Sequence, residues 1–108
     1  MKIWLDDLRD PPEGWYWVKT AAEAIDAMID FDDVTDISLD HDLGIVVAET
    51  GYDVAKWIEK RVMSDYGYFP PRIWVHTSNP VGRANINGAI QSINRIMAAR
   101  WQDWITPR

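Results

Sequence analysis

Residues 36–44 read DISLDHDLG, a short apolar run that ends in two aspartates on either side of a histidine. A run of this length, closed by polar residues and a glycine, is typical of a buried strand followed by a loop. A strand is therefore predicted over Asp36–Asp40, with a loop over residues 41–44.

Three other short runs on either side of this one are rich in strand-forming residues. They are residues 2–5, Trp15–Lys19 and Arg72–His76. Apolar residues at helical spacing predict a helix after each of the last three strands in chain order. These helices cover Ala21–Ile29, Gly51 to about Ser64, and a stretch from Pro80 or Gly82 to Arg100.

Two segments outside these elements are assigned from their residue types and length. Ile45–Thr50 is interpreted as a loop, because its valines suit a strand but lie between a glycine and a helix start. The tail, Trp101–Arg108, is too short for a further helix and is interpreted as a candidate edge strand, where Pro107 is tolerated.

Strands that alternate with helices predict a parallel sheet with helices packed on it. The predicted fold class is α/β: a three-layer, flavodoxin-like, doubly wound and mostly parallel sheet of four or five strands in the order 2-1-3-4(-5). Residues 1–108 form a single domain, as the length suggests. The first connection is too short for a full crossover helix, so the second strand is either parallel after an abbreviated crossover or antiparallel at an edge.

Composition excludes several classes of protein. The chain has 11 Lys+Arg, 17 Asp+Glu and no cysteine, which leaves a formal charge of −6. Disulfide scaffolds, thiol nucleophiles and cysteine zinc sites are therefore excluded. The acidic balance argues against a basic nucleic-acid coat, and no apolar run is long enough for a membrane span. A cytoplasmic protein is expected.

Polar residues follow three of the predicted strands at the point where each strand ends. Asp6 and Asp7 follow the first, Asp40 to Asp42 the third, and residues 76–79 the fourth. In the order 2-1-3-4 these strands are neighbours, so their carboxyl ends converge on one rim of the sheet. Carboxylates on one rim repel each other unless a cation neutralises them, which predicts Mg²⁺ or another divalent cation at Asp6, Asp7 and Asp40. The alternative is that these acids occupy exposed loops.

Both histidines of the chain, His41 and His76, fall on the same predicted rim. One neutral and one protonated imidazole can act as general base and general acid, which phosphodiester hydrolysis requires. Ser78, Asn79 and Arg83, near the start of the last helix, are candidate phosphate-binding residues. They could equally be helix caps and a solvated surface arginine.

The spacing of the seven tryptophans assigns most of them to the core. Trp15, Trp17 and Trp104 are candidates for an exposed aromatic face that stacks a base or binds a protein partner.

These residues resemble a receiver domain, the phosphoacceptor module of two-component signalling. Asp6-Asp7 resembles the metal-binding acidic pair of that family, and the resemblance places Asp40 at the phosphorylated aspartate. Gly44 lies where a proline is usual, and Thr77 or Ser78 resembles the switch hydroxyl. The family's lysine before a proline after the fifth strand is missing, with Thr106-Pro107 as the nearest candidate.

Three sequence segments are more similar to a divergent branch of this family, described as cyclic-phosphate-processing receiver domains. They are WLDDLRDP at residues 4–11, SLDHDLG at 38–44 and HTSNPVGRAN at 76–85, and the likeness extends to about Ile93. The resemblance implies a flavodoxin-like fold and an enzyme that opens cyclic phosphates on nucleotides, nucleotide derivatives or RNA ends.

The leading hypothesis is therefore a phosphoesterase in which His41 and His76 form an acid–base pair beside a metal held by Asp6, Asp7 and Asp40. Ser78, Asn79 and Arg83 hold the phosphate. The alternative is a non-enzymatic receiver-like signalling or binding module with Asp40 as phosphoacceptor. A third interpretation is a metal-dependent hydrolase of linear phosphate esters that needs neither histidine.

Overall fold

Four short strands form the centre of the molecule. A computed structural model describes residues 1–44 and 49–105, the last two by their backbone alone. The strands are β1 (Lys2–Leu5), β2 (Trp15–Val18), β3 (Asp36–Leu39) and β4 (Arg72–Val75). All neighbouring pairs are parallel and the order is β2-β1-β3-β4. The predicted flavodoxin-like class and strand order are confirmed.

The connection between β1 and β2 is the abbreviated crossover rather than an antiparallel turn. Lys2 pairs with Trp15 and Leu5 with Val18, in parallel register. Residues 6–14 carry the chain back to the start of the sheet without a helix. The second of the two predicted alternatives is therefore excluded.

Three helices follow β2, β3 and β4: α1 (Ala21–Asp30), α2 (Gly51–Ser64) and α3 (Pro80–Ile105). Thr20 caps α1 by accepting a hydrogen bond from the Glu23 amide. Thr50 and Asp53 form a reciprocal capping box at the start of α2. These side chains satisfy amides that the first helical turn leaves without partners.

The core lies between one face of the sheet and the helices. Alternate strand residues, among them Ile3, Leu5, Ile37 and Leu39, are fully buried in one cluster with apolar side chains of all three helices. Successive strand side chains point to opposite faces, so the helices share a single face. Right-handed crossovers from β2 to β3 and from β3 to β4 run in the same direction, which accounts for this arrangement.

The other face of the sheet carries no helix in the described part of the chain. It presents the intervening residues, including Trp4, Trp17, Ser38 and Trp74, which lie side by side in register. Residues 1–44 and 49–105 therefore form no second helical layer, which a three-layer fold would have. The reason is that the β1–β2 connection is too short to hold a helix.

The prediction that most tryptophans belong to the core is wrong. Among those with described side chains only Trp4 is buried, and it lies outside the main cluster. Trp57 packs partly against that cluster, whereas Trp74 and Trp101 are exposed. Trp15 and Trp17 are half-buried on the helix-free face, and the side chain of Trp104 lies outside the described residues.

The last helix is longer than predicted. It continues past Arg100 to Ile105, so the candidate edge strand is wrong for residues 101–105, and residues 106–108 lie outside the description. Arg100 is buried and its guanidinium donates to the carbonyls of Val62, Asp65 and Tyr68. These bonds hold the end of α3 against the last turn of α2.

Residues 45–48 of the predicted loop Ile45–Thr50 also lie outside the described residues, while positions 49 and 50 are neither helix nor strand. In the part of the chain that the structure describes, no helix combines the length and apolar character needed to span a bilayer.

Candidate functional site

Three carboxylates meet at the carboxyl ends of β1 and β3. One oxygen each from Asp6, Asp7 and Asp40 lies within 4.8 Å of the others. They border a surface cavity of about 300 Å³. The cavity is lined by Asp6, Asp7, Leu8, Arg9, Asp40, Asp42, Gly44 and Ser78. The structure thus brings together the three aspartates that the sequence suggested as metal ligands.

Asp6 is the most rigid member of this cluster. Only 2% of its surface is exposed. Its Oδ1 accepts hydrogen bonds from the amides of Leu8 and Arg9, which turns the chain sharply after β1. Its Oδ2 lies 3.1 Å from Nε2 of His76. The direction of this carboxylate is therefore set by backbone and imidazole contacts.

Asp40 is held beside Asp6 by the backbone of two elements. Its amide donates to the carbonyl of Leu5 at the end of β1. The start of α2 approaches so closely that a Cβ on Gly51 would lie 2.0 Å from the Asp40 carbonyl oxygen. Only glycine allows this approach, so the GY that opens α2 helps to position the acidic cluster.

The charge environment of Asp40 favours a cation. Burial raises the pKa of the Asp40 carboxyl and the negative charge of Asp6 raises it further, against a hydrogen bond from Thr77. Oxygen donors from three carboxylates are the chemistry that Mg²⁺ accepts, and a cation would relieve their repulsion. The residues present therefore fit a divalent cation.

His76 is enclosed on the helix-free side of the rim. Its ring stacks on Trp4 with centroids 3.8 Å apart and planes 5° from parallel. Nδ1 lies 2.7 Å from the Ser38 hydroxyl and Nε2 faces Asp6. Burial lowers the pKa of His76, while its hydrogen bond to Asp6 acts in the opposite direction. Both ring nitrogens are thus engaged within the protein.

His41 lies on the helix side of the rim. Its Nδ1 is 2.9 Å from Oδ1 of Asp42, and this hydrogen bond lowers the pKa of the Asp42 carboxyl. Within the described residues Nε2 has no hydrogen-bond partner. A Cβ on Gly82 would lie 2.3 Å from the His41 ring, so the imidazole packs directly on the first turn of α3.

The two histidines therefore flank the acidic cluster from opposite faces of the sheet. No hydrogen bond joins them among the residues described. Neither lines the cavity itself, but each is hydrogen-bonded to an aspartate that does: His76 to Asp6 and His41 to Asp42.

Of the candidate phosphate-binding residues, Asn79 is engaged as a helix cap, whereas Ser78 and Arg83 are exposed. Asn79 caps α3, since its Oδ1 accepts from the amides of Val81 and Gly82. Its Nδ2 donates to Asp42 at 3.3 Å. Ser78 is exposed and lines the cavity. Arg83 is exposed and donates one bond to the Thr77 carbonyl.

Sequence reasoning missed four residues that shape this site: Trp4 and Ser38 around His76, Arg9 on the cavity wall, and Gly82 under His41. Arg9 also donates to the His76 carbonyl. Strand alternation was the available signal, because side chains two residues apart share a face. Trp4 and Ser38 are register partners, and His76 comes two residues after Trp74, the partner of Ser38. No local pattern marks Gly82, since its role depends on a contact between distant segments.

An all-parallel sheet in the order 2-1-3-4, with acidic residues at the ends of β1 and β3, is the architecture of a flavodoxin-like receiver fold. A family model described as "Cyclic-phosphate processing Receiver domain" matches residues 1–92, and the chain belongs to this family. Searches of curated proteins and of solved structures returned no match.

The likeness to phosphoacceptor receivers is partial. Thr77 is buried, and its hydroxyl lowers the pKa of the Asp40 carboxyl, as expected of a switch hydroxyl. The missing lysine leaves Thr106-Pro107 as its nearest counterpart, and these residues lie outside the described part of the chain.

Proposed function

We propose that this protein hydrolyses a cyclic phosphate on a nucleotide, a nucleotide derivative or an RNA end, at the cavity bordered by the acidic cluster. The observation that carries the proposal is the convergence of Asp6, Asp7 and Asp40 with two aspartate-bound histidines at one rim. Membership of a family described by cyclic-phosphate processing supports the choice of substrate.

Asp6, Asp7 and Asp40 would hold a divalent cation. Mg²⁺ suits a phosphate substrate, because it keeps waters that phosphate oxygens can replace. When bound, the cation would polarise the phosphoryl oxygens and offset negative charge in the transition state. Ser78 and the guanidinium of Arg83, both exposed beside the rim, would bind phosphate oxygens. Arg9 on the cavity wall supplies a further positive charge.

His41 is the better placed of the two histidines for proton transfer. Asp42 accepts a hydrogen bond from Nδ1–H, which fixes the tautomer and leaves Nε2 as an acceptor. In the proposed step, water bonds to phosphorus and gives a proton to Nε2, and one ring P–O bond breaks. A solvent proton completes the released hydroxyl, and His41 later returns its proton to solvent. One water is consumed and a phosphomonoester is formed.

His76 has a different role in this proposal. Because both of its nitrogens are engaged, it acts as a positioning residue that holds Asp6 for the cation. If it transferred a proton instead, as in a symmetrical acid–base pair, the loss of His76 would lower turnover even when the metal site is saturated.

The experiment compares turnover of 2′,3′-cyclic mononucleotides, RNA ends with a cyclic phosphate, ADP-ribose cyclic phosphate and a linear phosphate ester, each with Mg²⁺ or EDTA. At least one cyclic substrate should be opened, and EDTA should stop the reaction. His41→Ala should lower turnover by ~10² or more. His76→Ala should lose activity that excess Mg²⁺ restores.

Lys60→Ala, at an exposed position in α2, is the control for both histidine variants. Unchanged turnover in His41→Ala would contradict the proton-transfer role. Hydrolysis of the linear ester alone, in both histidine variants, would instead favour the metal-dependent phosphatase interpretation.

A second candidate function, phosphoacceptor signalling, is favoured by one observation: the buried Thr77 hydroxyl acts on Asp40 and lowers the pKa of its carboxyl. Incubation with acetyl phosphate and Mg²⁺, followed by intact-mass analysis, separates the two. A mass increase of one phosphoryl group that disappears in Asp40→Asn would support signalling.

A further inference from the structure

The helix-free face of the sheet is an aromatic surface in a regular array. Two rows of residues cross all four strands in register, in the order β2-β1-β3-β4. One row is Trp15, Lys2, Asp36 and Arg72, and the other is Trp17, Trp4, Ser38 and Trp74. Four of these eight side chains are tryptophans, and no described helix covers them. Trp4 and Ser38, in the middle of the second row, are buried, because His76 stacks on Trp4 and residues of the β1–β2 connection bond to it. The accessible tryptophans are Trp15, Trp17 and Trp74.

Each accessible tryptophan of this face has a cation beside its ring. Lys2 Nζ lies 5.5 Å from the centroid of Trp15, and Lys19 Nζ lies 4.6 Å from that of Trp17. The guanidinium carbon of Arg72 lies 5.8 Å from the centroid of Trp74, which is 48% exposed.

The strand residues of this face carry more positive than negative charge, although the chain has a formal charge of −6. Lys2, Lys19 and Arg72 lie beside its accessible tryptophans. The strand positions hold one carboxylate, Asp36, and its hydrogen bond from the Trp74 indole lowers its pKa. Aromatic rings flanked by cations suit a polyanion whose bases can stack, which is the chemistry of single-stranded nucleic acid.

The face is continuous with the candidate active site. Trp4 stacks on His76, and His76 is hydrogen-bonded to Asp6 of the acidic cluster. The face therefore borders the rim where the phosphate is proposed to bind.

The size of the face argues against a second copy of this chain as its occupant. Four strands about 4.8 Å apart and four residues of about 3.3 Å each cover roughly 250 Å². A stable dimer needs about 800 Å² from each partner. A four-stranded sheet that carries aromatic side chains is instead an arrangement on which two or three bases stack.

We propose that the helix-free face binds the last few unpaired nucleotides of a single-stranded RNA, and directs its 3′ end to the acidic cluster. The inference rests on the proposed function for the identity of that end, since a 2′,3′-cyclic phosphate requires ribose. It makes an RNA end, rather than a free mononucleotide, the preferred substrate.

The test measures RNA binding under conditions in which no phosphate is hydrolysed. A fluorescently labelled single-stranded RNA of about six nucleotides with a 3′-hydroxyl end is titrated in EDTA, and its anisotropy is measured. Trp74→Ala should weaken binding at least about fivefold, the loss expected for one stacked base. Arg72→Ala should weaken it as well, and should reduce the slope of log affinity against log salt by about 0.7.

The matched control is Trp101→Ala, which removes an exposed tryptophan from α3 and should leave binding unchanged. Circular dichroism verifies that each variant is folded. Equal binding by wild type and Trp74→Ala, or an equal loss in Trp101→Ala, would overturn the inference. A dimer in sedimentation that Trp74→Ala dissociates would also overturn it, with a second copy as the occupant.

The outcomes for the surface and for the enzyme are separable. RNA binding that depends on Trp74 and Arg72, without turnover of any cyclic phosphate, would support the RNA-binding surface and contradict the proposed function. Turnover of cyclic mononucleotides, with RNA binding that is unchanged in Trp74→Ala and Arg72→Ala, would support the proposed function and contradict the RNA-binding surface.

Discussion

Asp6 has both carboxylate oxygens oriented by the protein before any ligand binds. Two amides hold Oδ1, and His76 holds Oδ2. A ligand whose direction is fixed in advance loses little entropy on binding a cation, and contacts of this kind commonly tune metal affinity. Trp4 and Ser38 matter to the site because they hold His76, which in turn holds Asp6.

Gly82 is the residue on which the position of His41 depends. An alanine Cβ there would lie 2.3 Å from the His41 ring, so the imidazole would have to move away from α3. Gly82→Ala should therefore lower turnover of a cyclic phosphate by about 10², the usual effect of displacing a catalytic group by about 1 Å. Turnover per folded molecule is the measurement.

Gly88→Ala is the matched control in the same helix. A Cβ at Gly88 meets nothing within 4 Å, so this variant should keep full turnover. It should also gain about 0.5–1 kcal/mol of stability, because glycine weakens helix interiors. Equal activity in the two variants would mean that the position of His41 is not critical.

The start of α2 links helix capping to the acidic cluster. Gly51 donates its amide to the His41 carbonyl and approaches Asp40, while Thr50 and Asp53 cap the helix immediately beside it. The hydrogen bond from the Thr50 amide lowers the pKa of the Asp53 carboxyl, and Lys56 lowers it further.

This capping box predicts a pH effect of defined sign. The pKa of Asp53 is lower in the folded than in the unfolded chain, so its stabilisation is complete above about pH 3.8. The stabilisation is lost as pH falls through the folded pKa. Asp53→Asn should reduce the free energy of unfolding by about 0.5–1 kcal/mol at pH 7, and the difference from wild type should shrink below pH 3.8.

Denaturant melts at several pH values measure this effect. Asp26→Asn, at an exposed position in α1, is the control and should follow wild type throughout. A constant difference between Asp53→Asn and wild type down to pH 2 would show that Asp53 acts through something other than its charge.

The elements that sequence could predict are those set by local signals. Short apolar runs closed by polar residues marked the ends of β1 and β3, and apolar residues at helical spacing marked the helices. The convergence of Asp6, Asp7 and Asp40 followed from strand order alone. The end of α3 could not be predicted, because its last turns are held by Arg100 bonding to carbonyls near the end of α2.

Across the whole molecule, the abbreviated β1–β2 connection has the largest consequence. Without a crossover helix there, the described helices cover one face, and the tryptophan-rich face carries no described helix. Sequence reasoning assigned most tryptophans to the core by their spacing, which does not say which face of the sheet the helices cover. Which face of a sheet is covered depends on the handedness and length of its connections, and no single strand encodes it.

Acidic and basic residues are concentrated in different regions of the molecule. Four aspartates line the cavity at the rim, while lysine and arginine accompany the tryptophans of the helix-free face. The two regions suit the two parts of one ligand, a phosphate neutralised through a cation and a nucleotide chain that stacks on aromatic rings.

Phosphorus NMR of three cyclic substrates incubated with the protein and Mg²⁺ tests the central claim most directly, with Asp40→Asn beside Asp26→Asn. The substrates are a 2′,3′-cyclic nucleotide, an RNA with a cyclic phosphate end and ADP-ribose cyclic phosphate. Wild type and Asp26→Asn should convert the cyclic phosphate signal of at least one of them into that of a phosphomonoester. Asp40→Asn should do so at least roughly 10²-fold more slowly, because the cation loses a ligand. Cyclic signals that all persist with wild type, or that disappear equally fast with Asp40→Asn, would contradict the claim.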